Sequence, residues 1–169
     1  GLLDFGRRAD SDYADVDLSV LILETAELLK HRAGEKNLEL EVSTSDAPAL
    51  AWGSKDQLAQ VAFNIVSNAM DASPGGAVVR LHSEPGAFMV EDSGEGIPDS
   101  SRTKLFEPFF TTKPPGEGTG LGLSVSWRIV TNHGGTITVD NDCGAVFTLS
   151  LPLSSENTPQ NKVATGANV

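Results

Sequence analysis

The chain has 169 residues, with 12 Lys and Arg against 23 Asp and Glu, so its formal charge is −11 with the three His neutral. At roughly 150 residues per domain this is one domain; 39% apolar and 21% charged content exclude whole-chain disorder, and the acidity excludes nucleic acid as the main partner. A lone Cys143 excludes an intramolecular disulfide and fits a reducing compartment, and no apolar run approaches the ~20 residues of a membrane span.

The chain opens on Gly1 rather than Met, which reads as a piece of a longer protein. Residues 1–15 read as a helix end and linker. Leu18 to Arg32 carries apolar residues at a helical period, and Gly34 follows as the stop. Leu38 to Val42 alternates like a half-buried strand, and residues 49–52 make a short second one. Ser54 is placed as an N-cap. Leu58, Val61, Ala62, Ile65, Val66 and Ala69 then form an apolar stripe, so a helix runs to about Ala72. Strands 77–82 and 87–92 follow, joined at Glu84-Pro-Gly86. From Asp92 to Thr119 periodicity vanishes, apart from one helical turn near 101–106. A loop that long in a small domain reads as a functional lid, about residues 93–119. A helix resumes over 120–133 with Gly134 beyond it, and strands 136–141 and 145–151 form a last hairpin. The polar residues 154–169 read as a disordered tail. Hairpin-linked strands with interleaved helices predict an α+β fold: a two-layer sandwich, its sheet mixed but mostly antiparallel, with three helices on one face.

Four constellations carry chemistry. Gln60, Asn64, Asn68 and Asp71 fall on one polar stripe beside the apolar stripe of their helix. Amide oxygens there suit Mg²⁺, which takes its other ligands from water and substrate phosphates; an exposed amphipathic face fits the same pattern. Asp92 shares the core face of its strand with Phe88 and Val90, so its carboxylate needs a donor such as the amine of adenine. It also fits a turn cap. In Asp92-Ser-Gly94-Glu-Gly96 the glycines let backbone approach a flat ring. The run Gly116-Glu-Gly118-Thr119-Gly120-Leu121-Gly122 feeds straight into a helix, where free N–H groups and the helix dipole favour phosphate. It matches neither the dinucleotide fingerprint nor the P-loop. Lys113 reads either as a phosphate cation or as a solvated surface lysine. Jointly these describe a Mg-nucleotide site beneath a mobile lid.

The same residues resemble four boxes of sensor histidine kinases, members of the GHKL (Bergerat-fold) superfamily. The segment from Gln60 through Asn64 and Asn68 to Ala72 resembles the N box, and Val90 to Pro98 the G1 box. Leu105-Phe106-Glu-Pro-Phe109-Phe-Thr-Thr112-Lys113 resembles the F box, and Gly118 to Leu123 the G2 box. The style is closest to nitrogen-regulation-type kinases. The resemblance spans about residues 1–153, with Leu2 to Phe5 similar to the end of a dimerisation helix and residues 16–153 to the ATP-binding catalytic domain. It implies that Asn68 coordinates Mg²⁺, that Asn64 hydrogen-bonds phosphates and that Asp92 binds the adenine amine. Gly94 and Gly96 belong to the base pocket, Phe106 and Phe109 anchor the lid, and the Gly118–Gly122 backbone holds phosphates. Asp71, Ile97, Thr112, Lys113, Thr119, Leu121 and Gly120 complete the implied ATP site.

The implied activity is transfer of the γ-phosphate of ATP to a His, then to a response-regulator Asp. His31, His82 and His133 do not stand in an H-E-x-x-x-P-like context, so the acceptor is expected on a dimerisation hairpin outside this chain. The implied partners are that hairpin and the receiver domain, in a cytoplasmic or membrane-anchored homodimer of which this segment alone is a monomer. Many relatives carry Lys or Arg where Asp71 stands, and Thr or Ser where Ala145 stands. The alternatives are a hydrolytic ATPase or anti-sigma serine kinase of the superfamily, or a nucleotide-binding pseudokinase. The hydrolytic types place a general-base Glu where this chain has Asn64, and a neutral amide takes no proton from water.

Overall fold

The computed structural model describes residues 13–153. In chain order the elements are β1 (Tyr13–Asp17), α1 (Leu18–Glu35), β2 (Glu39–Thr44), β3 (Leu50–Ser54), α2 (Lys55–Ala72), β4 (Val78–Glu84) and β5 (Ala87–Glu91). Then come α3 (Asp99–Arg102), α4 (Gly122–Asn132), β6 (Thr136–Asn141) and β7 (Ala145–Ser150). The main sheet runs β2-β4-β5-β7-β6; only β2–β4 is parallel. Helix α2 lies between α1 and α4, and all three pack on the sheet. In β4, Val79, Leu81 and Ser83 are buried while Arg80 and Glu84 are exposed, so a single face is covered. The fold is the expected α+β sandwich, with a mixed, mostly antiparallel sheet.

Each long helix follows from its apolar spacing. In α2, Leu58, Val61, Ala62, Ile65, Val66, Ala69 and Met70 are all buried, leaving one polar flank for the site. In α1 the buried set is Leu18, Leu21, Ile22, Thr25, Leu29 and Ala33, and Asp17 caps the start by accepting the N–H of Ser19 at 2.9 Å. Gly34 does not stop this helix. It continues to Glu35 because Asn37 adopts the left-handed conformation (φ 54°), with Leu38 N–H bonding Ala33 O and Asn37 N–H bonding Gly34 O.

Several boundaries differ from the sequence reading. Residues 13–15, expected as linker, begin β1, which pairs antiparallel with β3 in a separate two-stranded ribbon. Five residues offering one buried apolar side chain, Val16, give too little alternation to mark a strand. Ser54 sits at the α2 N-cap but makes no side-chain capping bond. The helix expected from residue 120 begins at Gly122, because Gly120 has φ +66° and cannot join it. The turn expected near 101–106 is α3, one step earlier, behind Pro98. Gly134, at φ +73°, ends α4 as expected. Residues 1–12, including the Leu2–Phe5 segment, and the tail 154–169 lie outside the described residues.

His133 ties the fold together. It is buried, its Nδ1 donates to Ile129 O at 2.7 Å, and its Nε2 accepts the Ser54 N–H at 3.1 Å. Tyr13 stacks on its ring with centroids 4.6 Å apart, so one imidazole joins β1, β3 and α4.

Candidate functional site

A cavity of about 520 Å³ opens between α2, the loop after β5, the long loop ahead of α4 and the β7 edge. That volume suits a small-molecule ligand. Of the residues singled out from sequence, Asn64, Asn68, Asp71, Asp92, Gly96, Ile97, Thr112, Lys113, Gly118, Thr119, Gly120 and Gly122 line it. Gln60 is exposed and lies off the cavity, one turn too early on α2.

Asp92 stands just beyond β5 and is only 4% exposed. Its Oδ1 accepts the N–H groups of Gly94 (2.9 Å) and Ala145 (3.0 Å). Among the described residues Oδ2 carries no hydrogen bond, so it is the oxygen available to a ligand donor. Gly94 lies off the cavity wall for a steric reason: a Cβ there would sit 2.6 Å from Ala72 O, at the end of α2. Its absence lets the turn close over the carboxylate. The next turn is held by Asn141, whose Oδ1 accepts the Ile97 N–H and whose Nδ2 donates to Ile97 O, both at 2.9 Å. The sequence reading missed Asn141, and also Phe63, Leu105, Phe110 and Phe147, which supply apolar wall. The Phe147 side was legible only as strand alternation, with nothing to mark the cavity.

On α2, Asn64 Nδ2 donates to Gly122 O (3.2 Å) and Ser126 Oγ (3.3 Å), tying the amide nitrogen to the start of α4. Its Oδ1 is then the open atom, and in this arrangement Asn64 reaches a phosphate only through water or a cation. Asn68 makes no side-chain hydrogen bond among the described residues. No group of three His, Cys, Asp or Glu converges among them into a metal cage. The free amide oxygens of Asn64 and Asn68 on the cavity wall are of the type that suits Mg²⁺, an ion that keeps water and phosphate oxygens as most of its shell.

Asp71 lines the cavity with its carboxylate engaged by three cations. It is 19% exposed; its Oδ1 meets Arg32 Nη2 at 2.7 Å and Lys36 Nζ at 3.0 Å, and its Oδ2 meets Lys113 Nζ at 2.6 Å. Burial pushes the carboxyl up. Hydrogen bonds from Lys113 and Lys36, with the charges of Lys113 and Arg32, outweigh burial and hold it below the usual carboxylate value.

The glycine run reaches α4 at Gly122, and no side chain caps that helix. Its first-turn N–H groups are left for an anion. Leu121, the N-cap, lies off the cavity and spends its N–H on Thr119 Oγ1. The loop is pinched at its base by the Phe109 N–H to Gly120 O bond, 2.9 Å. A Cβ on Gly120 would sit 2.4 Å from the Phe109 carbonyl carbon, so only glycine permits that approach. Phe106 packs on the core. Phe109 does not: its φ of +67° turns the ring outward, 75% exposed, and Phe110 lines the cavity instead. Of the two Phe expected to anchor the loop, Phe106 packs its side chain on the core, whereas Phe109 is tied in by its backbone N–H alone.

Residues 53–155 match the family described as histidine kinase-, DNA gyrase B-, and HSP90-like ATPase. The chain belongs to that family. Within this ATPase family the likeness runs to sensor histidine kinases. The two-component sensor PprA of Pseudomonas aeruginosa is 44% identical over 130 residues, covering 70% of this chain and 14% of its own length. The sensor histidine kinase ZraS of Escherichia coli K12 is 39% identical over 145 residues, covering 82% and 31%. The catalytic domain of histidine kinase ThkA, solved nucleotide-free, superposes with a TM-score of 0.76 at 31% identity, over 83% of this chain and 97% of that domain. ThkA in complex with response regulator protein TrrA gives 0.74 at 28% identity, over 86% and 43%. The chain thus spans under a third of either curated sensor and nearly all of a solved catalytic domain. No described helix is long and apolar enough to cross a membrane.

Proposed function

We propose that this domain binds Mg-ATP and delivers its γ-phosphate to a histidine on a helical hairpin outside the chain, for relay to a response-regulator aspartate. The observation that carries the reading is the pairing of two recognition ends on one cavity. Asp92 offers an acceptor for an adenine amine at one end, and the uncapped start of α4 offers N–H groups for phosphate at the other. Asn68 and Asn64 would hold Mg²⁺ by their oxygens, and when bound the ion supplies charge neutralisation at the phosphates.

The chain's own residues position and neutralise. Asp92 and the Gly94–Ile97 turn fix the base. The α4 start and Lys113 draw the phosphates against the field of a protein of charge −11. The long loop excludes water. Phosphoryl transfer asks little more of a protein than this. The residue one helical turn before Asn68 is the amide Asn64, which takes no proton, so hydrolysis by this domain is expected to be negligible.

The test is calorimetric titration of wild type and Asp92→Asn with ATP, with and without Mg²⁺, followed by a phosphate-release assay. Binding that the substitution removes, without turnover, supports the reading. Many phosphates released per minute would instead assign the chain to the hydrolytic branch. Adding a separately produced His-containing hairpin should yield acid-labile phosphohistidine.

A further inference from the structure

One cluster in the cavity is built for something other than holding nucleotide directly. Asp71 gathers cations from three places: Arg32 near the end of α1, Lys36 just past it, and Lys113 in the long loop. Arg32 is fixed further by a hydrogen bond from Nη1 to Ser67 Oγ, one turn before Asp71 on α2. Three cations around one carboxylate leave a local charge of +2 in a chain of net −11. Only Asp71 and Lys113 of the four line the cavity, so Arg32 and Lys36 act through Asp71 rather than on a ligand. Gly118 lies against the stem of Lys113, where a Cβ would come within 3.1 Å of Lys113 Cδ. The same lysine therefore lies against the glycine run that leads into α4.

We propose that Asp71 is a positioning residue that latches the empty loop through Lys113, and that the terminal phosphates of ATP take Lys113 from it. This rests on the nucleotide reading above. In the empty domain the Asp71–Lys113 pair, the Phe109–Gly120 backbone bond and the Gly118 contact hold the loop over the cavity. Phosphate competes with the Asp71 carboxylate for one ammonium group. Arg32 and Lys36 stay on Asp71 after the exchange, so the carboxylate is never left buried and unpaired.

Two variants open the latch from opposite sides. Hydrogen exchange of the unliganded protein reads it without nucleotide: Asp71→Asn and Lys113→Gln should each speed exchange of the 110–118 amides severalfold, leaving β4 and β5 unchanged. Calorimetry then separates latch from ligand. Asp71→Asn frees Lys113 and removes a negative charge, so ATP should bind about fivefold tighter, the scale of a partly exposed ion pair. Lys113→Gln should bind ATP about fivefold more weakly on the same scale, and adenosine should bind both variants like wild type. Opposite signs on ATP with adenosine flat are not produced by a merely structural role. Unchanged loop exchange in both variants, or weaker ATP binding by Asp71→Asn, overturns the latch. Failure of wild type to bind either ligand overturns the nucleotide reading instead, while the exchange result still decides the loop contact.

Discussion

At the scale of single residues, Asp92 divides its labour by oxygen atom. Oδ1 is saturated by two backbone donors, Gly94 and Ala145, which hold the turn and the hairpin together. Oδ2 makes no hydrogen bond among the described residues and is the ligand atom on the proposed nucleotide reading. Asp92→Asn keeps an acceptor for the two N–H groups and replaces the other oxygen by an amide NH₂, a donor that would face the donor on adenine. The fold should survive while affinity falls by about 1–3 kcal/mol, roughly 5- to 150-fold, as when one partner of a buried hydrogen bond is lost. The contact is to the base, so ATP and adenosine should suffer alike, and parallel titrations check this. Asn68→Ala should differ in kind. It should leave adenosine binding and Mg²⁺-free ATP binding intact and weaken only the Mg²⁺-dependent increment; equal losses with and without Mg²⁺ would remove Asn68 from the cation site.

At the scale of elements, the proposed base pocket is a turn between β5 and α3 held from outside by the β6–β7 hairpin. Asn141 makes that connection: its amide meets both the N–H and the C=O of Ile97, as a neighbouring strand would. Gly96 beside it has φ +75°, and a Cβ there would lie 2.9 Å from Asn141 Oδ1. Asn141→Ala should release the turn, costing about 1 kcal/mol of stability and about fivefold in adenosine affinity. A Tm drop of about 2–5 °C by calorimetry, with the affinity change in the same variant, checks it. This connection also shows what sequence reveals. Helix α2, the hairpins and the glycine run declare themselves through spacing within a dozen residues, and Asp92 through its place on a core face. Asn141 is one polar residue before a turn, 44 positions from Ile97, and no local pattern marks it. The outward Phe109 is equally hidden, because its φ is set by the approach of Gly120 across the loop. Strand β1 was illegible for want of length.

At the scale of the whole molecule, Asp71 is the place where three parts meet: α1 through Arg32 and Lys36, α2 through its own backbone, and the long loop through Lys113. Local reading sees only a carboxylate on a polar stripe, because its partners lie 35 to 42 positions away. The pH dependence of this junction follows from the sign of its shift. The carboxyl is held below its unfolded value, so its contribution to stability is fully present above that value, about 3.9 for an aspartate. As pH falls through the lower folded value, the native state must take up a proton and the contribution disappears. Asp71→Asn has no such proton to bind. The Tm of wild type should therefore exceed that of Asp71→Asn by a steady margin from about pH 8 to pH 5, and the margin should shrink below about pH 4. Lys113→Gln takes away one of the cations that depress the carboxyl, so its margin over a Lys113→Gln/Asp71→Asn double variant should be smaller, should begin to shrink at the same pH, which the unfolded carboxyl sets, and should finish shrinking at a higher one. Thermal melts of the four proteins across that range decide the matter. A margin between wild type and Asp71→Asn that grows on acidification would mean that burial, rather than the three cations, governs the carboxyl.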